Sequence, residues 1–335
     1  MNTMKPNIFN LAPKELSQDA FFTWLLMWAD NDLNQNDKSL NETAKNFVRL
    51  LLGQSSDYQI NKVKAGRQWN NIDIWAEVNN EYFICIEDKT YTGEHSEQLE
   101  RYKEFITNHL KYKSFKHVFV YLKTGNESLS RLNKIREKGY VVIDRKAILK
   151  VLNQHSISNA IFNDFKEYLN EIEKQTNCCD KLEDIISNWH SAEGFYIKLQ
   201  ENINEWTDWS YVPNQTGGFL GFWYHWIVIE KIGELYIQIE NAFEYGIKLV
   251  IKIAGWEQKI DILYKTYNEI KLIAEKNGLS ITKPERYRVG ETSTVAIIQN
   301  AFQSENNNNF DFNDFLITLK KLEKTLDEYK SQYDK

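Results

Sequence analysis

The sequence predicts an α/β chain: a central sheet flanked by helices over residues 1–175, then a second, α+β domain over 176–335. Three observations carry this. Helical and strand-like apolar periods alternate through the first half. The pattern breaks at "QTNCCD" (Gln175 to Asp180), and the strands beyond it are punctuated by Gly217, Gly218, Gly221, Gly233 and Gly246. At 335 residues the chain has room for two domains.

The first helix is expected over Pro13 to Ala29. Proline suits a first helical turn, and Leu16, Ala20, Phe21, Trp24, Leu25 and Trp28 recur at helical spacing on one face. A second helix runs from Asn41 to Leu52 and stops at Gly53. Strands follow at Tyr58 to Lys64, Asn71 to Val78 and Tyr82 to Lys89, with "VNNEY" as a hairpin turn between the last two. Then come a helix over 94–109, the strand "HVFVYL", a helix from Ser128 to Lys138, the strand "YVVI", and two helices reaching Lys174. Helix, three strands, helix and strand in that order describe a sheet covered on both faces. The second domain reads as a helix over 181–206, strands between Tyr211 and Ala254, a helix from Glu257 to Asn277, a strand from Thr294 to Ile298 and a last helix from Asp311 to Tyr333. "SENNNNF" reads as an exposed loop.

Composition narrows the class. Apolar residues make up 42% of the chain, enough for packed cores rather than disorder. Cys85, Cys178 and Cys179 form neither a CxxC pair nor an even framework, so free thiols in a reducing compartment are expected. "MNTMKPNIFN" lacks the apolar core of a signal peptide, and "AFFTWLLMWA" is too short to span a bilayer. A cytoplasmic protein without membrane association is the expectation. The net charge of −6 is unevenly spread: residues 176–335 hold 17 Lys+Arg against 24 Asp+Glu, whereas 97–150 hold 13 against 6. A basic stripe in an acidic chain suits phosphate contact, as it suits a solvated helix surface.

The chemistry concentrates in "NIDIWAEVNNEYFICIEDK". Side chains alternate across a strand, so register decides which groups meet. If Asn79, Asn80 and Glu81 form a three-residue loop, Asp73 lies opposite Glu87 on one face, Lys89 joins them two residues on, and Ile72, Ile74, Ala76, Ile84 and Ile86 share the other. A two-residue loop would instead set Asp73 among aliphatic side chains. Two carboxylates and an ammonium at the end of a buried strand suit a hard cation, Mg²⁺ or Mn²⁺, with Asp73 and Glu87 as ligands and the Asp88 carbonyl as a third. Such an ion neutralises charge on a phosphoryl oxygen. Asp88 itself alternates to the opposite face, toward solvent or behind the site. Gln98 and Tyr102 in "QLERY" stand four apart, on one helical face. His95 is read as a surface residue at a helix start. "GFLGFWYHW" is read as core packing of a small β-domain in preference to a base-stacking surface.

That stretch resembles the D…(D/E)-x-K core of the PD-(D/E)XK nuclease superfamily. "QLERY" is similar to the Q-x-x-x-Y motif of its RecB-like branch, and "ELSQDAFFTWLL" to the first helix of a bacterial group with a C-terminal extension. The resemblance covers residues 8–150, and Ile72 stands where the proline of the name would be. It implies a restriction-endonuclease-like fold and metal-dependent phosphodiester hydrolysis. Asp73 and Glu87 would bind the metal, Lys89 would serve the nucleophile, and Gln98 and Tyr102 would border the site or touch the DNA backbone. Glu15 would supply a further acidic group. DNA is the implied substrate, with RNA not excluded, and foreign-DNA defence or repair the implied setting. The alternative is a catalytically silent, nuclease-fold DNA-binding or regulatory protein. In either case the second domain is open to recognition, regulation, homodimerisation or docking of a protein partner.

Overall fold

The computed structural model describes residues 6–12, 15–91, 93, 98–214, 217–230, 232–255, 259–303 and 310–333. Pro13, His95 and most of "SENNNNF" therefore lie outside the described residues. The chain divides into two compact units, Met1–Glu127 with Arg131–Lys174, and Ser128–Ser130 with Gln175–Lys335. Among the described residues no helix is long and apolar enough to cross a membrane.

In the first unit a single helical turn α1 (Ile8–Leu11) precedes α2 (Glu15–Trp28) and α3 (Lys38–Leu52). Asp37 caps α3 by accepting the Leu40 N–H, and Gly53 ends it in the left-handed conformation, φ 62°. Then come β1 (Val63–Trp69), β2 (Ile72–Val78), β3 (Tyr82–Lys89), α4 (Gln98–Asn108), β4 (Lys116–Lys123), α5 (Leu129–Glu137), β5 (Val141–Asp144), α6 (Arg145–Leu152) and α7 (Ala160–Asn177). The strands form a mixed sheet in the order β1-β2-β3-β4-β5. β1, β2 and β3 are antiparallel, and β3, β4 and β5 are parallel. α2, α3, α6 and α7 bury their aliphatic and aromatic faces on one side of the sheet. Tyr102 and Ile106 of α4, and Leu132 and Ile135 of α5, cover the other. β3 lies in the middle and every one of its residues is buried, as expected for a strand covered on both faces.

The β2–β3 hairpin has the predicted register: Ile74 pairs with Ile86, Ala76 with Ile84 and Val78 with Tyr82. That leaves Asn79, Asn80 and Glu81 as the loop, and both asparagines adopt positive φ. Three expectations differ. β1 spans Val63–Trp69, not Tyr58–Lys64, because Asn70 and Asn71 (φ 50° and 67°) form a two-residue turn that pairs Trp69 with Ile72. Ile72 joins the cluster under α4, with Phe83, Cys85 and Tyr102, rather than the aliphatic side. α2 is rotated from its expected face: Leu16 and Ala20 are exposed while Gln18, Asp19, Phe22, Leu25 and Leu26 are buried.

The second unit has its own core. Its elements are α8 (Leu182–Ser187), α9 (Trp189–Asn202), β6 (Thr207–Val212), β7 (Phe219–Ile229), β8 (Gly233–Asn241), β9 (Ile247–Ala254), α10 (Ile260–Lys276), β10 (Ile281–Thr282), β11 (Thr292–Ile298) and α11 (Phe312–Ser331). The sheet order is β10-β11-β9-β8-β7-β6, antiparallel throughout. The single helix expected over 181–206 is two, because Asn188 accepts the Ser191 N–H and starts a new one. In "GFLGFWYHW", Leu220, Phe222 and Tyr224 enter the core, while the partly exposed Trp226 stacks on Tyr236 with ring centroids 3.9 Å apart.

The loop after β4 is pressed against the end of β3. The Thr124 N–H donates to the Lys89 carbonyl at 3.2 Å, and a Cβ on Gly125 would lie 2.0 Å from the Thr90 carbonyl oxygen. Backbone cannot yield as a side chain does, so Gly125→Ala should lower unfolding stability by about 1–3 kcal/mol or more, read as a fall in the urea midpoint. An unchanged midpoint would show that this approach is not tight.

Candidate active site

β3 ends in three charged residues whose side chains alternate across a covered sheet. Glu87 and Lys89 project toward α4, and Asp88 projects toward α2. Lys89 forms an ion pair with Glu87, and its Nζ stands 3.9 Å from Asp73 Oδ2. The same Asp73 oxygen accepts the Asp88 backbone N–H at 3.1 Å. The hairpin register thus brings Asp73, Glu87 and Lys89 together.

α4 supplies the next layer. Gln98 donates its amide to Glu87 Oε2 at 3.1 Å and contacts the Tyr102 hydroxyl one turn on. Tyr102 donates to the Asn71 carbonyl, tying the β1–β2 turn to the site. Glu15, at the start of α2, accepts the Thr90 N–H at 3.2 Å. Its charge acts on both Asp73 and Lys89.

Burial and mutual repulsion set the electrostatics. Glu87 is raised to about 8, first by burial and then by the Asp73 charge. Burial also raises Asp73, against the Asp88 N–H and the Lys89 ammonium, which favour its charged form. Burial works against the Lys89 ammonium, yet Glu87 and Asp73 together hold it above its usual range. Two crowded carboxylates beside one ammonium form an oxygen-donor set that a small divalent cation would relieve, and one or two carboxylates plus waters are what Mg²⁺ takes. The residues therefore fit such an ion, although among the described residues no three His, Cys, Asp or Glu side chains converge as a cage.

Behind β3 lies a second polar cluster. The Asp88 side chain is wholly buried rather than solvent-facing, because α2 turns Gln18 and Asp19 toward it. Gln18 donates to Asp88 Oδ1 at 2.5 Å and accepts from the Thr124 hydroxyl at 2.5 Å. Gln68 donates to Asp19 Oδ2 at 3.3 Å. Asp19 Oδ1 and Asp88 Oδ2 are buried without a donor among their neighbours. A proton shared between the two carboxyls supplies one, and burial raises both groups. Sequence reasoning gave Gln18, Asp19 and Thr124 no role in the site. The available signal was "ELSQD", which sets Gln18 and Asp19 three and four residues after Glu15 on one helical face.

A family model described as the PD-(D/E)XK nuclease superfamily matches residues 6–193. Comparison with curated proteins and with solved structures returned no match.

Asp19 makes a pH-dependent prediction. Burial, then the Asp73 charge, raises it from 3.8 to about 6. Below pH 3.8 the carboxyl is protonated in folded and unfolded chains alike. Above it the unfolded chain releases the proton first, so stability falls as pH rises toward 6. Asp19→Asn keeps an acceptor for Gln68 and removes that loss. The metal-free variant should exceed the parent in stability at pH 7 by up to about 3 kcal/mol and match it near pH 3.5, as read by urea melts. A constant offset across pH would refute the assignment.

Proposed function

The chain belongs to the PD-(D/E)XK nuclease superfamily, and we propose that it is a divalent-metal-dependent nuclease acting on DNA, with Asp73, Glu87 and Lys89 as its catalytic set. The convergence of these three side chains at the end of a buried strand is the observation that carries the reading. A role in defence against foreign DNA or in DNA repair is part of the same proposal and rests on the family resemblance.

Asp73 and Glu87 would hold Mg²⁺ or Mn²⁺, with the Asp88 carbonyl and Glu15 as the further donors this reading assigns. A bound ion of this kind supplies Lewis-acid neutralisation of charge on the phosphoryl oxygen. The chain's own groups do the rest. The Lys89 ammonium, held charged by its acidic neighbours, donates hydrogen bonds to an attacking water and to the oxygen that gains negative charge. Glu87 keeps its orientation through the Gln98 amide, and Asp73 through the Asp88 N–H. Tyr102 anchors the β1–β2 turn through the Asn71 carbonyl, which keeps one wall of the site still. Gln98 and Tyr102 are spaced as in the RecB-like branch, and the basic stretch over residues 97–150 supports a polyanionic substrate.

The test is cleavage of linear, circular and single-stranded DNA with Mg²⁺ or Mn²⁺. Lys89→Ala and Asp73→Asn should each lower the rate by about 10²–10³-fold while native circular dichroism is kept, and Tyr102→Phe should cost less. Activity equal to wild type in Lys89→Ala and Asp73→Asn would remove the assigned site. Salt-dependent DNA binding with no metal-stimulated cleavage would favour a silent, DNA-binding member of the family.

A further inference from the structure

Next to the catalytic set, from the end of the adjoining strand into α5, runs a group of charged residues that the proposed mechanism does not use. β3 and β4 are parallel, and Lys123 is the register partner of Lys89. Paired residues in neighbouring strands project to the same face, so Lys123 points to the α4 side, where Glu87 and Lys89 also lie. Lys123 is almost wholly buried, with its Nζ 3.4 Å from Glu127 Oε2. The other oxygen of Glu127 lies 3.5 Å from Nη1 of Arg131, four residues on in α5, and the Arg131 side chain is 41% exposed. One carboxylate is thus shared between a buried ammonium and an outward guanidinium.

The trio is held close to the site. The Thr124 N–H bonds the Lys89 carbonyl, Gly125 lies against the Thr90 carbonyl, and Glu127 Oε2 would be 3.7 Å from a Cβ on Gly93, in the connection from β3 to α4. A buried lysine needs an acid beside it. The same acid also faces the Arg131 guanidinium, and a guanidinium suits bidentate contact with phosphate.

We propose that Lys123, Glu127 and Arg131 form a phosphate-binding arm beside the candidate active site, in which Arg131 grips a backbone phosphate of a polynucleotide next to the one being cleaved. Lys123 and Glu127 are positioning residues, and Arg131 is the contact. This inference rests on the nuclease reading and extends it: the substrate is an extended strand, recognised at more than its scissile phosphate.

Two measurements test it. In the first, the wild type, Arg131→Gln and Arg131→Lys bind a fluorescent duplex oligonucleotide in EDTA across a series of NaCl concentrations, followed by anisotropy. Arg131→Gln should bind about tenfold more weakly, with the slope of log affinity against log salt reduced by about one. Arg131→Lys should restore the slope but only part of the affinity. Unchanged affinity and slope in Arg131→Gln, or no binding by the wild type, would overturn the proposal. The second compares kcat/KM for the oligonucleotide with that for bis(4-nitrophenyl) phosphate, a lone phosphodiester. The ratio should fall about tenfold in Arg131→Gln, and an equal loss on both substrates would overturn the arm, since Arg131 would then act on the site's architecture. If the wild type hydrolyses neither, the nuclease reading fails and the binding measurement alone decides on Arg131.

Discussion

Asp73 accepts the backbone N–H of Asp88 across the β2–β3 hairpin, and the rest of the site depends on that bond. It forms only if the loop holds three residues. A shift by one would turn every side chain of β2 to the opposite face. Asn79 and Asn80 take the positive φ that this loop needs, and the Asn79 side chain also accepts the Asn61 and Lys62 N–H groups, so the turn is braced from outside the hairpin. Aliphatic pairing of Ile74 with Ile86 and Ala76 with Ile84 then locks the register from within.

Ending a central strand in Glu87, Asp88 and Lys89 is costly, because each charge must leave water. The protein compensates separately on the two faces. Toward α4, Glu87 and Asp73 are set against Lys89 and held by Gln98 and the Asp88 N–H. Toward α2, Asp88 is taken by Gln18 and faces Asp19. The loop after β4 closes this arrangement: Arg145 donates to the Thr124 carbonyl at 2.6 Å and to Asn126 Oδ1 at 2.8 Å, and itself pairs with Glu173 at 2.9 Å. The cluster is thus held by hydrogen bonds and ion pairs on both faces of the strand, the kind of preorganisation that the proposed electrostatic catalysis would use.

The crowding of Glu87 and Asp73 has a further consequence. On the proposed reading, carboxylates that burial and mutual repulsion hold above their ordinary range must release protons to take a cation, which ties metal affinity to pH. The second unit is a compact body of its own. It encloses a separate core under its own antiparallel sheet, and its acid-rich composition sets it apart from the basic stretch of the first unit.

The sequence by itself determined the mixed, helix-flanked architecture, the boundaries of β3, the hairpin loop and the meeting of Asp73, Glu87 and Lys89. These depend on periods of two and 3.6 residues and on turn chemistry, all of which act between near neighbours. The tertiary structure decided the rest. It moved β1 downstream, because the Asn70–Asn71 turn acts through pairing with β2 rather than through apolar alternation. It rotated α2 so that Gln18 and Asp19 are buried while Leu16 is exposed, because Asp88 on the facing strand needs partners. It also set Lys123 beside Lys89, since a parallel register is created by a crossover helix and leaves no trace in the local pattern.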